Sequence, residues 1–142
     1  MPRHIPILAV PSVAAVLMLV ACEPFGDKDK ENLSKACPAA PATVQRPASL
    51  KTFPDAAGIQ YTGSETKGPS TVVSGYLNDT IGPAHQAYSA AVKQAPGYVI
   101  TKEEQDAADS EVNYSGHGTS GQVKMVQICK GRTTVSITIR PA

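Results

Sequence analysis

The chain has no tryptophan and only two phenylalanines, so five tyrosines supply most of its aromatic surface. It also lacks a dominant charge, with 13 Lys and Arg against 12 Asp and Glu. A nucleic-acid binder needs a basic surface to displace counterions from phosphates, and a near-neutral chain has no such footprint. Motifs that build hydrolytic sites are missing as well. There is no G-x-S-x-G nucleophile elbow, no P-loop and no H-E-x-x-H, which leaves nucleophilic and metal hydrolysis without candidate residues. No internal repeat is visible. Long apolar runs are absent except for Ile5 to Ala21, whose 17 residues include Pro6 and Pro11. A bilayer span needs about 20 residues, and each proline removes a backbone donor, so the run reads as a leader rather than a permanent membrane helix.

Arg3 precedes that run and small residues close it beside a cysteine, the layout of an export signal. Leu19-Val20-Ala21-Cys22 resembles the lipobox of bacterial lipoproteins. The resemblance implies that the Cys22 sulfur takes a diacylglycerol, that cleavage falls on its amino side, and that the freed amine is acylated. Each buried methylene contributes about 0.8 kcal/mol, so two or three acyl chains hold firmly where one is marginal. The chain would then sit lipid-anchored on the extracytoplasmic face of the cell membrane. An ordinary secretory signal cut near Ala21 and a soluble protein with an apolar start are the competing readings.

Three cysteines in an exported chain leave one unpaired. If Cys22 carries lipid, Cys37 and Cys129 remain as a pair in an oxidising compartment, and a bridge between them is expected; two free thiols are the alternative. Removing residues 1–21 of the 142 leaves 121, and takes Arg3 with it, so 12 basic residues face 12 acidic ones. Residues 22–54 have the composition of a tether, punctuated by Pro24, Pro38, Pro41, Pro47 and Pro54. Only Val44, Leu50 and Phe53 offer apolar anchors there, so its latter half is expected to lie over the domain surface. Residues 55–142 form the globular domain. A domain of that size buries only about 60% of its unfolded surface, and a disulfide would be a useful staple.

Within the domain, Ile59 and Tyr61 alternate with Gln60 and Thr62 as a short strand, and Thr71 to Leu77 is its hairpin partner after the Lys67-Gly68-Pro69 turn. Asn78-Asp79-Thr80 offers helix caps. Ile81, Ala84, Tyr88, Ala91, Val92 and Ala95 then form one apolar stripe, stopped by Pro96-Gly97. Tyr98 to Thr101 is a third strand, Lys102 to Asp109 a polar connection, and Val112 and Tyr114 mark a fourth strand. Gln122 to Lys130 alternates imperfectly and is either covered on both faces or bulged. Val135, Ile137 and Ile139 give the last strand the clearest alternation. The expected order is β-β-α-β-β-β-β, an α+β two-layer sandwich with one helix on a mainly antiparallel sheet.

Gly116-His117-Gly118-Thr119-Ser120-Gly121 matches the G-x-G-x-x-G dinucleotide fingerprint in letters. That fingerprint needs a following helix and an acidic residue about 20 positions on, whereas here a strand pattern follows and no Asp or Glu occurs after Glu111. A hairpin loop is the better reading. His85, on or beside the helix stripe, and His117, in the glycine turn, lack companion ligands for zinc. Glu103, Glu104, Asp106, Asp109 and Glu111 form an acidic cluster without the spacing of an EF-hand. No cofactor, metal site or catalytic residue is expected. Lys124, Lys130, Arg132 and Arg140 make the chain after Glu111 purely basic, a patch suited to anionic lipid headgroups or wall polymers, or merely a solubilising, edge-protecting set.

Gly97-Tyr98, Gly131-Arg132 and Ile139-Arg140-Pro141 also give the last 70 or so residues a weaker likeness to a family of small actinobacterial lipoproteins; it implies no site. The expected function is therefore a lipid-anchored, non-enzymatic envelope protein that binds an envelope protein or an anionic wall polymer. A structural or assembly role without a ligand, and an enzyme with an unrecognised site, are the alternatives. Replacing Cys22 by serine should leave an unprocessed precursor that takes up no labelled palmitate. A processed, membrane-bound Cys22→Ser protein in a detergent partition would overturn the lipobox reading.

Overall fold

The computed structural model describes residues 33–142. Arg3, the lipobox and Cys22 lie outside them. A 3-10 turn at Ala48–Leu50 comes first, then strands β1 (Gln60–Lys67) and β2 (Ser70–Leu77), helix α1 (Ile81–Gln94), and strands β3 (Tyr98–Gln105), β4 (Asp109–Gly116), β5 (Thr119–Cys129) and β6 (Arg132–Pro141). All six strands form one sheet in the order β1-β2-β6-β5-β4-β3, with every neighbouring pair antiparallel. The helix thus carries the chain from β2 to the far edge, and a meander returns it so that β6 closes against β2. Antiparallel alternation along that order makes β2 and β3 run the same way, but three strands separate them.

An α+β two-layer sandwich is not what forms. The fold is dominated by its sheet, at 48% strand against 17% helical among the described residues. Two physical reasons account for the difference. The acidic stretch expected to connect β3 and β4 is itself strand: Lys102, Glu103 and Glu104 pair with Asn113, Val112 and Glu111. An edge strand needs only backbone partners on one side, so charged side chains do not prevent it and instead guard the edge. Nor does the helix cover the inner face alone. Leu50, Phe53 and Ala56 are buried in the same core cluster as Val73, Val112, Val123, Met125, Val135 and Ile137, so an irregular segment does part of a helix's work.

That segment crosses from one face of the sheet to the other. It starts at the Cys37–Cys129 disulfide, whose Cα atoms are 5.1 Å apart across a sequence separation of 92. Val44 donates its N–H to the Tyr61 carbonyl at the β1 edge. Arg46 then organises the turn back: Nε sits 2.9 Å from both Asp55 carboxylate oxygens, Nη1 reaches the Lys51 carbonyl at 3.2 Å, and Nη2 reaches that of Phe53 at 2.6 Å. This fork holds the loop that drops Leu50 and Phe53 inward, where each buried side chain contributes roughly 1.5–3 kcal/mol. Phe53 packs against Tyr114 at 4.4 Å and edge-on to Tyr98 at 5.6 Å between ring centroids.

Helix α1 buries Ile81, Ala84, Tyr88, Ser89 and Val92, following the expected stripe. Its cap comes from elsewhere. Thr80 makes no side-chain capping bond; the Gln127 Oε1 of β5 accepts from the Ile81 N–H at 2.9 Å instead, and Thr133 Oγ1 donates to the Asp79 carbonyl at 2.8 Å. Tertiary partners thus replace the local cap and fix the helix start over β5 and β6.

Burial raises the phenols of Tyr61, Tyr88 and Tyr114 well above their ordinary value of 10.0, with the Asp55 carboxylate adding to the effect at Tyr61. A phenol whose folded pKa is raised stabilises fully below its unfolded value, and that contribution is lost as pH rises above about 10. Tyrosinate absorbance of these three residues should therefore appear together with loss of near-ultraviolet circular dichroism, as one alkaline unfolding step. A smooth titration near pH 10 with the fold intact would contradict this packing.

Candidate functional site

Strand alternation divides the sheet sharply. Val123 and Met125 of β5 and Val135 and Ile137 of β6 point inward and are buried. The positions between them carry Lys124, Val126, Thr134 and Ser136, and the registers set Tyr76 and Val126 opposite Thr134, and Ser74 and Lys124 opposite Ser136. Together with Pro41 of the crossing segment they line a groove of about 340 Å³ on the face away from the helix. A bulge between Gln127 and Cys129 breaks the alternation there, and Ile128 also lines the groove, 39% exposed. The irregularity read from the β5 sequence is this bulge.

Arg132 is the unusual member of that groove. It is only 9% exposed, and no salt bridge to it occurs among the described residues. Its Nη1 donates to the Pro38 carbonyl at 2.8 Å and the Ala39 carbonyl at 3.4 Å. The guanidinium carbon lies 5.4 Å from the centre of the Tyr76 ring, and Nε is buried without a hydrogen-bond partner. Carbonyl dipoles and an aromatic face compensate a buried positive charge only in part. Among the described residues the lining contains no carboxylate. Lys124, half-exposed, adds a second cation, and Glu111 at 3.9 Å offsets it weakly from the side.

The four basic residues singled out from the sequence do not form one patch. Lys124 and Arg132 share the groove. Lys130 sits in the β5–β6 turn beside the disulfide, its N–H bonded to the Lys35 carbonyl. Arg140 lines a separate cleft with Lys51 and His117 near the β4–β5 turn. Alternation does put Arg132 and Arg140 on one face, but eight residues of strand separate them by about 26 Å.

His85, Ser110 and Glu103 come together from α1, β4 and β3. His85 Nδ1 is 2.5 Å from Ser110 Oγ, and its Nε2 is 3.8 Å from Glu103 Oε1. The trio has the composition of a serine triad, yet Ser110 is 1% exposed, which leaves its hydroxyl no route to a substrate. Glu103 is held below the usual carboxylate range by its hydrogen bond from Ser89, and further by Lys93 and His85. Its partners make it a brace tying the helix to the β3 edge. Lys102 pairs with Glu104 at 2.7 Å and Lys124 lies 3.9 Å from Glu111, so the three glutamates of the acidic cluster are engaged in ion pairs. Among the described residues no group of three or more His, Cys, Asp or Glu could hold a metal.

The glycine-rich segment is a hairpin turn. His117 and Gly118 occupy positive φ, and His117 Nε2 bonds the Pro96 carbonyl at 2.8 Å while its ring packs on Tyr98. Gly116 and Gly121 are opposite Tyr98 and Tyr114, and a Cβ at either would collide with that tyrosine and with a backbone carbonyl. The spacing that imitates a phosphate loop thus comes from room made for two rings.

No protein-family model matches the chain, and neither does a curated protein or a solved structure. The groove is therefore read from its own chemistry. Tyr76 and Pro41 were not singled out from the sequence as site residues. The usable signal was a large aromatic at an outward position of β2, where alternation calls for a small or polar side chain. Gly121→Ala should destabilise the domain by on the order of 3 kcal/mol or more through backbone overpacking, read as a lower urea midpoint. An unchanged midpoint would show that the Tyr114 ring does not need that space.

Proposed function

We propose that this chain is a lipid-anchored cell-envelope protein, held at Cys22 on the extracytoplasmic face of the membrane, whose globular part is a non-enzymatic binding domain. Its outer sheet face takes an anionic group in the groove floored by Arg132. The observation that carries this reading is the buried guanidinium, which has no carboxylate beside it among the described residues. An ion taken from water loses several kcal/mol of solvation that only a counter-charge or a full set of hydrogen bonds restores. Two carbonyls and a tyrosine ring leave part of that deficit standing, and an incoming anion would meet it.

A structural lipoprotein would use Arg132 only to clasp the crossing segment through Pro38 and Ala39. Lys124 favours binding over that alternative, because it adds positive charge above the same groove and touches nothing in the clasp. Apolar walls around two cations also suit a ligand that buries both. The test is titration of the processed protein, in phosphatidylcholine nanodiscs, with inorganic phosphate at constant ionic strength. Amide resonances of Thr134 and Val126 should shift and saturate in the millimolar range, and Lys124→Gln should weaken the effect several-fold. Shifts spread evenly over the basic surface, or none in the groove, would sink the binding reading.

A further inference from the structure

The groove's walls say more about the ligand than its charge does. Its accessible lining is mainly apolar, with Pro41, Tyr76, Val126 and Ile128 among the residues that form it, and its cations among the described residues are Arg132 and Lys124. A polyanion is recognised by a row of cations, but Arg140 lies far along the strand in another cleft and Lys130 projects from the β5–β6 turn. One anionic head is what this groove can answer. The rest of its volume, about 340 Å³, lies at the lower end of what holds a small organic ligand, and it is lined for apolar matter. Ile128, more than a third exposed on a strand surface, would be covered by an apolar chain lying along β5.

We propose that the groove binds a single-chain anionic amphiphile, with a carboxylate or phosphate head at Arg132 and Lys124 and an aliphatic chain along Val126, Ile128, Tyr76 and Pro41. The assignment rests on the anion-binding reading and narrows it to a lipid-like ligand class.

A chain-length series tests it. The processed protein in phosphatidylcholine nanodiscs is titrated with butanoate, hexanoate, octanoate, octyl phosphate and octanol, with free probe measured by dialysis and binding read from the Thr134 and Val126 amides. Burying a methylene is worth about a fourfold gain, so octanoate should bind on the order of a hundredfold more tightly than butanoate. Octanol should bind at least tenfold more weakly than octanoate, and the ratio of octanoate to octyl phosphate tells a fatty-acid head from a phospholipid-type head. Arg132→Gln should abolish binding. Because that change also loosens the clasp on Pro38 and Ala39, Ile128→Gln serves as the second variant, expected to cost octanoate about tenfold with the thermal unfolding temperature unchanged. Phosphate binding in the groove with no dependence on chain length would overturn the amphiphile while leaving the anion site standing. Octanol binding as tightly as octanoate would overturn the role of the charge, and no response to any probe would remove both.

Discussion

A single covalent bond decides where the chain's irregular segment begins. The Cys37–Cys129 bridge fixes the strand of least regular sequence, β5 at its bulge, to a proline-rich segment with almost no secondary structure of its own. Closing a loop of 92 residues removes on the order of 4–5 kcal/mol of unfolded-chain entropy in the chain model. The bond also has a directional effect. From Cys37 the segment can run only over the outer face, past Arg132, before Val44 meets the β1 edge and Arg46 turns it inward. Leu50 and Phe53 reach the core because the path behind them is pinned.

This arrangement explains which parts of the fold could be read from the residues. The helix stripe from Ile81 to Val92 and the alternation of Val135, Ile137 and Ile139 were legible because each element is buried on one face, so its period survives in the sequence. The disulfide was legible by counting thiols. The outer half of strand β3 was not, because an edge exposed from Thr101 to Gln105 leaves no apolar period to see, and only Tyr98 to Thr101 read as strand. Leu50 and Phe53 looked like surface anchors for the same reason: two apolar residues among prolines have no periodicity, and only the far-off Tyr98 and Tyr114 reveal where Phe53 goes. The groove was half legible. Lys124 and Arg132 were marked by charge, but nothing local tells an exposed arginine from one buried under Pro38 and Ala39, 93 or more positions away in sequence.

The two faces of the sheet solve opposite problems. On the inner face most large polar groups have a partner: Gln127 caps the helix and bonds the Cys129 carbonyl, Tyr61 donates to Asp55, and Tyr114 donates to the Thr138 carbonyl, with the buried, neutral Tyr88 hydroxyl as the exception. On the outer face Arg132 keeps a buried Nε without one. Natural sequences are locally consistent except where function asks otherwise, and a hydrophobic residue of similar volume would remove the charge at little or no cost to folding. Retaining the guanidinium under a segment covalently tied down beside it is therefore better understood as preorganisation than as stabilisation.

Preorganisation also gives the proposed lipid anchor a mechanical meaning. If Cys22 carries lipid, bonding Cys37 to the sheet leaves only residues 23–36 between anchor and domain, rather than the whole proline-rich region. The groove occupies the half of β5 that ends at Cys129, while the Lys51, His117 and Arg140 cleft near the β4–β5 turn is some 26 Å farther along the strands. Arg132 pairs with Cys129 and bonds the Pro38 and Ala39 carbonyls, so the buried cation lies at the disulfide end of the groove beside Ile128, with Lys124 toward the other end. A positive charge fixed there by a covalently tied segment needs no rearrangement when a counter-charge arrives.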